Sequence, residues 1–159
     1  MKDSDKLRRK MSILATREKR QYQDCKVFSL KIDASHLSKE KENYLKRIFL
    51  EGKWYYNYIL SCEDVFTFDA KQTIVNILNK DKQLEERIIK HLTAQMRADI
   101  KTRIMSSIKG LATKKRNGKA NQVGRLKFKS VCNSIPLRQS GMTYRFENGK
   151  YIFIQGFKK

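Results

Sequence analysis

Seven cationic side chains and no acidic one fall within KKRNGKANQVGRLKFKS, residues 114–130: Lys114, Lys115, Arg116, Lys119, Arg125, Lys127 and Lys129. Set this close together and uncompensated, they can neutralise successive phosphates of a nucleic-acid backbone. Gly118 and Gly124 would let such a loop follow a curved strand. Arg97 and Lys101, four residues apart, share a helix side that runs toward this loop; Arg103 falls on a different face. A solvated helix surface would carry the same three charges, so both readings stay open for them.

The remaining chemistry-bearing residues are scattered. Nuclease chemistry needs clustered carboxylates to hold metal ions. Glu63, Asp64 and Asp69 lie in a connector without ordered spacing, Glu85 and Glu86 read as the first-turn charges of a helix, and Asp33 ends a strand with no second carboxylate cluster after it. His36 and His91 are isolated. Cys25, Cys62 and Cys132 are odd in number, widely spaced and form no Cys-x-x-Cys pair, so neither a zinc site nor a disulfide framework is indicated. The expectation is a binding chain, with no catalytic residue, metal ligand or cofactor of its own.

Composition agrees. The chain has 159 residues, enough for one domain or one domain with an insertion, and its 40% apolar content can support a packed core. No apolar run approaches the roughly 18 residues of a membrane span. The N-terminus lacks the apolar centre of a secretory signal, although a basic amphipathic helix there leaves membrane-surface binding open. The expected compartment is reducing and cytoplasmic, with no membrane partner. The net charge of +20 is polarised: from Ile100 onward fifteen Lys and Arg face one acid, Glu147, leaving +14 there and +6 in residues 1–99. That polarity fits a nucleic-acid face. A small ribosomal or histone-like protein would share it.

These residues need elements to position them. Residues 1–24, with eight basic and four acidic side chains, read as a basic arm without a clean apolar stripe, either partly helical or floppy. Residues 27–32 alternate as a half-buried strand with Phe28, Leu30 and Ile32 on one side. Ser38 caps a helix with Glu40 in its first turn. Leu45, Phe49, Gly52, Tyr56 and Ile59 then form a heptad seam, and Gly52 there implies close approach of a neighbour's backbone. Trp54, Tyr55 and Tyr58 either widen the core stripe or offer a ring to a base. Residues 62–81 read as a connector with a short helix capped by Asp69. Leu84, Ile88, Leu92, Met96, Ile100, Ile104 and Ile108 recur every fourth residue and predict a long helix over 82–109, broken at Gly110. A strict four-residue step winds around a 3.6-residue helix, so this helix must meet different neighbours at its ends or bend near Thr93. Leu126 and Phe128 alternate with cations as a short strand. Asn148-Gly149 predicts a two-residue type I′ hairpin, placing Phe146 opposite Tyr151 and Tyr144 opposite Phe153. All four rings then share one face, as core or as a stacking platform, with Glu147 and Lys150 paired on the other. The fold class is α+β: a small antiparallel sheet or partial barrel with a helical insertion between its first and second strands.

This order of elements resembles the N-terminal part of TnpB, the RNA-guided nucleases of insertion sequences related to compact type V CRISPR effectors. KVFSLKI, SKEKENYLKRIF and KWYYNYIL, with Asn57 in the family's Asn position, are similar to its opening strand, capped helix and aromatic stretch. HLTAQMRADIKTRI is similar to the next helix, with Thr93 and Gln95 matching, and GRLKFKS matches an Arg-Phe-Lys-Ser word through Lys127, Phe128, Lys129 and Ser130. YRFENGKYIFIQGFKK resembles the closing strand pair. Leu126 stands where the family has proline, and Ile108 and Leu111 stand where it has aromatics. The RuvC-like nuclease with its acidic triad and the Cys-x-x-Cys zinc element have no counterpart within these 159 residues. The resemblance implies a basic arm (1–25), a wedge-like β domain (26–36 and 124–159) and an inserted helical recognition domain with its basic loop (37–123). It implies guide RNA and target DNA as partners, together with a separate nuclease subunit if the protein is split. Thr93 and Gln95 would lie near the surface that reads a short DNA motif, and Trp54, Asn57 and the 114–129 loop near RNA or heteroduplex. The alternative from the residues alone is an RNA-independent DNA-binding regulator or architectural protein, its long helix lying in a groove.

Overall fold

A computed structural model describes residues 2–24, 29, 31–79, 81–118 and 124–157. The chain divides into two compact units, Met1–His36 and Leu37–Lys159.

In the first unit α1 (Lys2–Gln21) is a single helix. Asp3 and Asp5 in its first turn and Lys19 and Arg20 in its last complement the helix dipole. Leu7, Met11 and Leu14, spaced by four and three, form an exposed apolar stripe that the abundance of charge obscures in the sequence. The expected strand over 27–32 falls largely outside the described residues, and Ser29, Lys31 and Ile32, which are described, are in no strand. Asp33 closes a local turn, accepting from the Ser35 amide at 2.9 Å, which holds its carboxyl below the usual carboxylate range.

The second unit is built on two helices. α2 (Lys39–Ser61) starts at its Ser38 cap, as the sequence predicts, with Glu40 and Glu42 in the first turn. Its buried face is Ile48, Glu51, Gly52, Tyr55 and Ile59. The stripe is thus rotated from the expected Leu45–Phe49–Tyr56 seam, because a carboxylate, Glu51, is drawn inside by partners described below. Phe49 instead lies beside Ser130, Val131 and Cys132. The neighbours of Gly52 are the side chains of Ile135 and Cys132, not the backbone of a helix.

Between the helices the chain forms a hairpin, β1 (Ile74–Leu78) and β2 (Leu84–Ile88), with Ile74 opposite Ile88 and Leu78 opposite Leu84. This replaces both the expected short helix in 62–81 and the first turns of the expected long helix. A spacing of four is two strand periods as well as roughly one helical turn, so Leu84 and Ile88 share a face in either structure. The β-branched residues Ile74, Val75 and Ile77 favour the strand, and the Asn79 side chain settles the turn by accepting from the Asp81 and Gln83 amides, both at 2.9 Å. Asp69, expected as a helix cap, instead accepts from the Lys71 amide in a turn.

α3 (Ala94–Arg116) begins at Thr93, whose hydroxyl accepts from the Met96 amide at 3.2 Å. It runs through Gly110, where a break was expected. One exposed glycine costs about 1 kcal/mol in a helix, and Lys114, Lys115 and Arg116 in the last turn complement the dipole beyond it. Ile100 and Ile104 of α3 join Tyr55 and Ile59 of α2, Val75 of β1, and Ile89 and Leu92 in one core.

After α3 residues 124–139 run in no regular structure and lead to a second hairpin, β3 (Tyr144–Glu147) and β4 (Tyr151–Ile154). The expected Leu126–Phe128 strand is absent because the helical residue Asn57, not a neighbouring strand, takes up the Lys129 backbone there. The β3–β4 register is shifted by one from the expectation: Glu147 pairs with Tyr151, Phe146 with Ile152 and Tyr144 with Ile154. Asn148 and Gly149 have φ of 53° and 67°, as a type I′ turn requires, but the loop takes in Lys150 as a third residue. A one-residue slip moves side chains to the other face. Tyr144 and Phe146 therefore share one face, Phe153 and Tyr151 the other, and Glu147 bridges Arg145 rather than Lys150. The described residues thus hold an α+β arrangement of three helices and two separate two-stranded antiparallel sheets; of the expected sheet they retain only the C-terminal hairpin, and β1–β2 is a hairpin formed where connector and helix were expected.

Tyr55 is fully buried and donates to the Ala70 carbonyl at 3.0 Å. Burial pushes its hydroxyl up to about 12, against the opposing pull of the Arg97 guanidinium. An unfolded tyrosine ionises near pH 10. Between pH 10 and 12 the native chain keeps a proton that the unfolded chain has released, so this stability is intact below pH 10 and lost as the pH rises through 12. Alkaline melts should show a fall of about 2 kcal/mol across that window. Tyr55→Phe should remove most of it; an unaltered alkaline profile in that variant would assign the loss elsewhere.

Candidate nucleic-acid interface

Several residues that the sequence offers to a nucleic acid are occupied in building the scaffold. Arg97 is 8% exposed. It donates to the carbonyls of Leu92 at 2.8 Å, Ala70 at 3.3 Å and Lys71 at 3.4 Å, tying the start of α3 to the 70–71 turn. The Lys101 ammonium donates to the carbonyls of Phe66 and Phe68 at 2.9 and 2.6 Å. The Tyr55 ring is sealed in the core. Tyr58 meets Phe68 edge-on, and its hydroxyl accepts from Gln72. Trp54 carries the Arg87 guanidinium 4.6 Å over its ring. Thr93 caps α3, and Gln95 donates to Asp99 at 3.1 Å.

Asn57 has the most specific geometry of this set. Its amide donates to the Lys129 carbonyl at 2.9 Å and accepts from the Lys129 amide at 2.8 Å. This pair of bonds fixes the end of the basic segment against α2. The Lys129 ammonium then lies 4.3 Å over the ring of Tyr56, whose hydroxyl is pushed up by burial and pulled back by Arg103. Arg103 donates to the Ser134 hydroxyl at 2.8 Å and, with Tyr56, Lys129 and Ser134, lines a shallow cleft.

The remaining cations are open to solvent. Lys114, Lys115 and Arg116 project from the last turn of α3, and Arg125 and Lys127 are exposed beyond it. Lys119 lies outside the described residues. Ion pairs among the described residues engage Lys6, Lys46, Arg87, His91 and Arg145, and none of the basic segment.

Two contributors, Glu51 and Asp99, are missed by reading along the chain, and a third, Arg103, is placed only by the fold. Glu51 is 3% exposed; its carboxylate accepts from the His91 amide at 2.7 Å, the Leu92 amide at 3.1 Å and the His91 ring at 2.6 Å. It thereby caps the entry to α3, where the helix dipole favours negative charge. Asp99 is also 3% exposed, and it accepts from the Arg138 amide at 3.2 Å, pinning the later chain to α3. Arg103, on a different helix face from Arg97 and Lys101, lines the same cleft as Lys129. The partners that give them these roles are 31 to 41 positions away, beyond any local signal.

Among the described residues no three His, Cys, Asp or Glu side chains come together to hold a metal ion, and no helix is long and apolar enough to cross a membrane. No protein-family model, curated protein or solved structure matches this chain.

Proposed function

We propose that the chain is a nucleic-acid-binding module. In this reading it is the guide-RNA and target-DNA recognition part of a TnpB-like, RNA-guided effector, whose cleavage is supplied by a nuclease outside these 159 residues. The observation that carries the binding reading is the cationic set Lys114, Lys115, Arg116, Arg125 and Lys127, exposed and in no ion pair among the described residues, with Lys127 two residues from the pinned Lys129. The refinement to a TnpB-like module rests on the resemblance of KVFSLKI, KWYYNYIL, HLTAQMRADIKTRI and GRLKFKS. An effector of this kind reads sequence by base pairing, so its protein mainly needs cations along an A-form backbone.

In this proposal Asn57 acts indirectly, by presenting the basic segment, and Arg97 and Lys101 keep the scaffold in shape. The test is a gel shift with RNase-treated protein, alongside sequencing of the RNA that co-purifies. The expected result is a common structured scaffold among the RNAs and binding that weakens steeply with salt. Tight, sequence-selective duplex binding without RNA would replace this reading with a DNA-binding regulator. Unrelated short RNAs with no common scaffold would count against the guide-RNA reading. Metal-dependent cleavage by the pure chain would overturn the claim that it only binds.

A further inference from the structure

From the placement of Phe128 we infer that the basic segment holds an unpaired nucleobase, with the Phe128 ring as its stacking platform. The inference rests on the nucleic-acid reading above and narrows it to a single-stranded ligand at this point.

Alternation along GRLKFKS would turn Leu126 and Phe128 to the same side, and Leu126 does pack against the core. Phe128 does not; it is 66% exposed. Its position is nevertheless constrained, because the next residue is fixed through both its backbone amide and its carbonyl by Asn57. A ring presented on a pinned backbone loses little freedom when a ligand arrives. Arg125 and Lys127 beside it are exposed, and Lys129 is held over Tyr56 with Arg103 in the same cleft. Cations for the backbone thus flank a free π-face for a base, the pairing that single-strand binders use. The rings of the aromatic stretch do not offer this: Trp54 and Tyr56 are covered by cations, Tyr55 is buried and Tyr58 is packed on Phe68. Phe146 and Tyr151 are exposed but stand by the Arg145–Glu147 pair, where an acid meets the strand. A base inside a duplex has both faces stacked already, so the platform selects an unpaired one.

The experiment uses the full chain, freed of RNA, and two labelled probes of equal length and charge: an oligoadenylate RNA and an abasic ribose-phosphate oligomer. Phe128→Ala should weaken oligoadenylate binding roughly 10-fold and leave abasic binding and the salt slope unchanged. Phe128→Trp should restore the affinity. An exposed side chain contributes little to the core, so the melting temperature should hold in both variants. Equal losses on the two probes, or no loss on oligoadenylate, would overturn the platform while leaving the cationic interface intact. Failure of the wild-type chain to bind either probe would overturn both readings together.

Discussion

Replacing Glu51 with alanine should lower the unfolding free energy by about 3–5 kcal/mol, the range for leaving a buried charged site without its partner. The carboxylate is 3% exposed and serves three donors from residues 91 and 92. Without it two backbone N–H groups at the entry to α3 lose their acceptor, and each such loss costs about 1–3 kcal/mol in a buried place. The His91 ring is 30% exposed and can turn to water, whereas the Leu92 amide bond is buried. Glu51→Gln keeps one acceptor oxygen and surrenders the charge at the dipole's positive end, so it should fall between wild type and alanine. Urea denaturation decides the matter. A loss under 1 kcal/mol for the alanine variant would mean that α3 begins without help from α2.

Changing Lys114, Lys115 and Arg116 together to Gln should weaken binding to every nucleic acid alike and flatten the plot of log K against log salt by about 2–3. Each phosphate contact releases counterion, with a slope of roughly 0.7 per contact on a single strand and 0.9 on a duplex. Three lost contacts therefore have a defined signature that general loss of folding would not mimic. The triple change also removes charges that favour the C-terminal end of α3, each worth about 0.3–1 kcal/mol, so melting must be followed in parallel. A salt slope identical to wild type would remove these three residues from the interface. The contrast with Phe128→Ala is informative: one change should alter the slope and not base dependence, the other base dependence and not the slope.

The sequence was most legible where structure is local. The Ser38 cap, the positive-φ Asn148-Gly149 turn and the absence of a Cys-x-x-Cys pair can all be read within a few residues. The α+β class followed from such pieces. The largest difference has its cause in a periodicity common to two structures. Leu84 and Ile88 fit a helix and a strand equally, and only the Asn79 turn, joined by bonds to residues 81 and 83, decides for the strand. The β3–β4 register failed by a single loop residue, which was enough to divide four rings between two faces. At the candidate site the basic segment was plain from composition. The inward roles of Arg97, Lys101 and Asn57 were not, because carbonyls 5 to 72 residues away set them.

The Asn57–Lys129 pairing also bears on the order in which the molecule assembles. It joins residues 72 apart, whereas the β1–β2 hairpin closes within fifteen residues. Closing a long loop carries more entropy than closing a short one, although the penalty grows only logarithmically. The α2–hairpin–α3 core can therefore collapse on contacts that are nearer in sequence, before the basic segment is drawn onto α2. By the same entropy, the segment that presents Phe128 is expected to open before that core in unfolding. A ligand spanning α3 and residues 124–129 would hold down that edge, so resistance to opening there should rise with occupancy by nucleic acid.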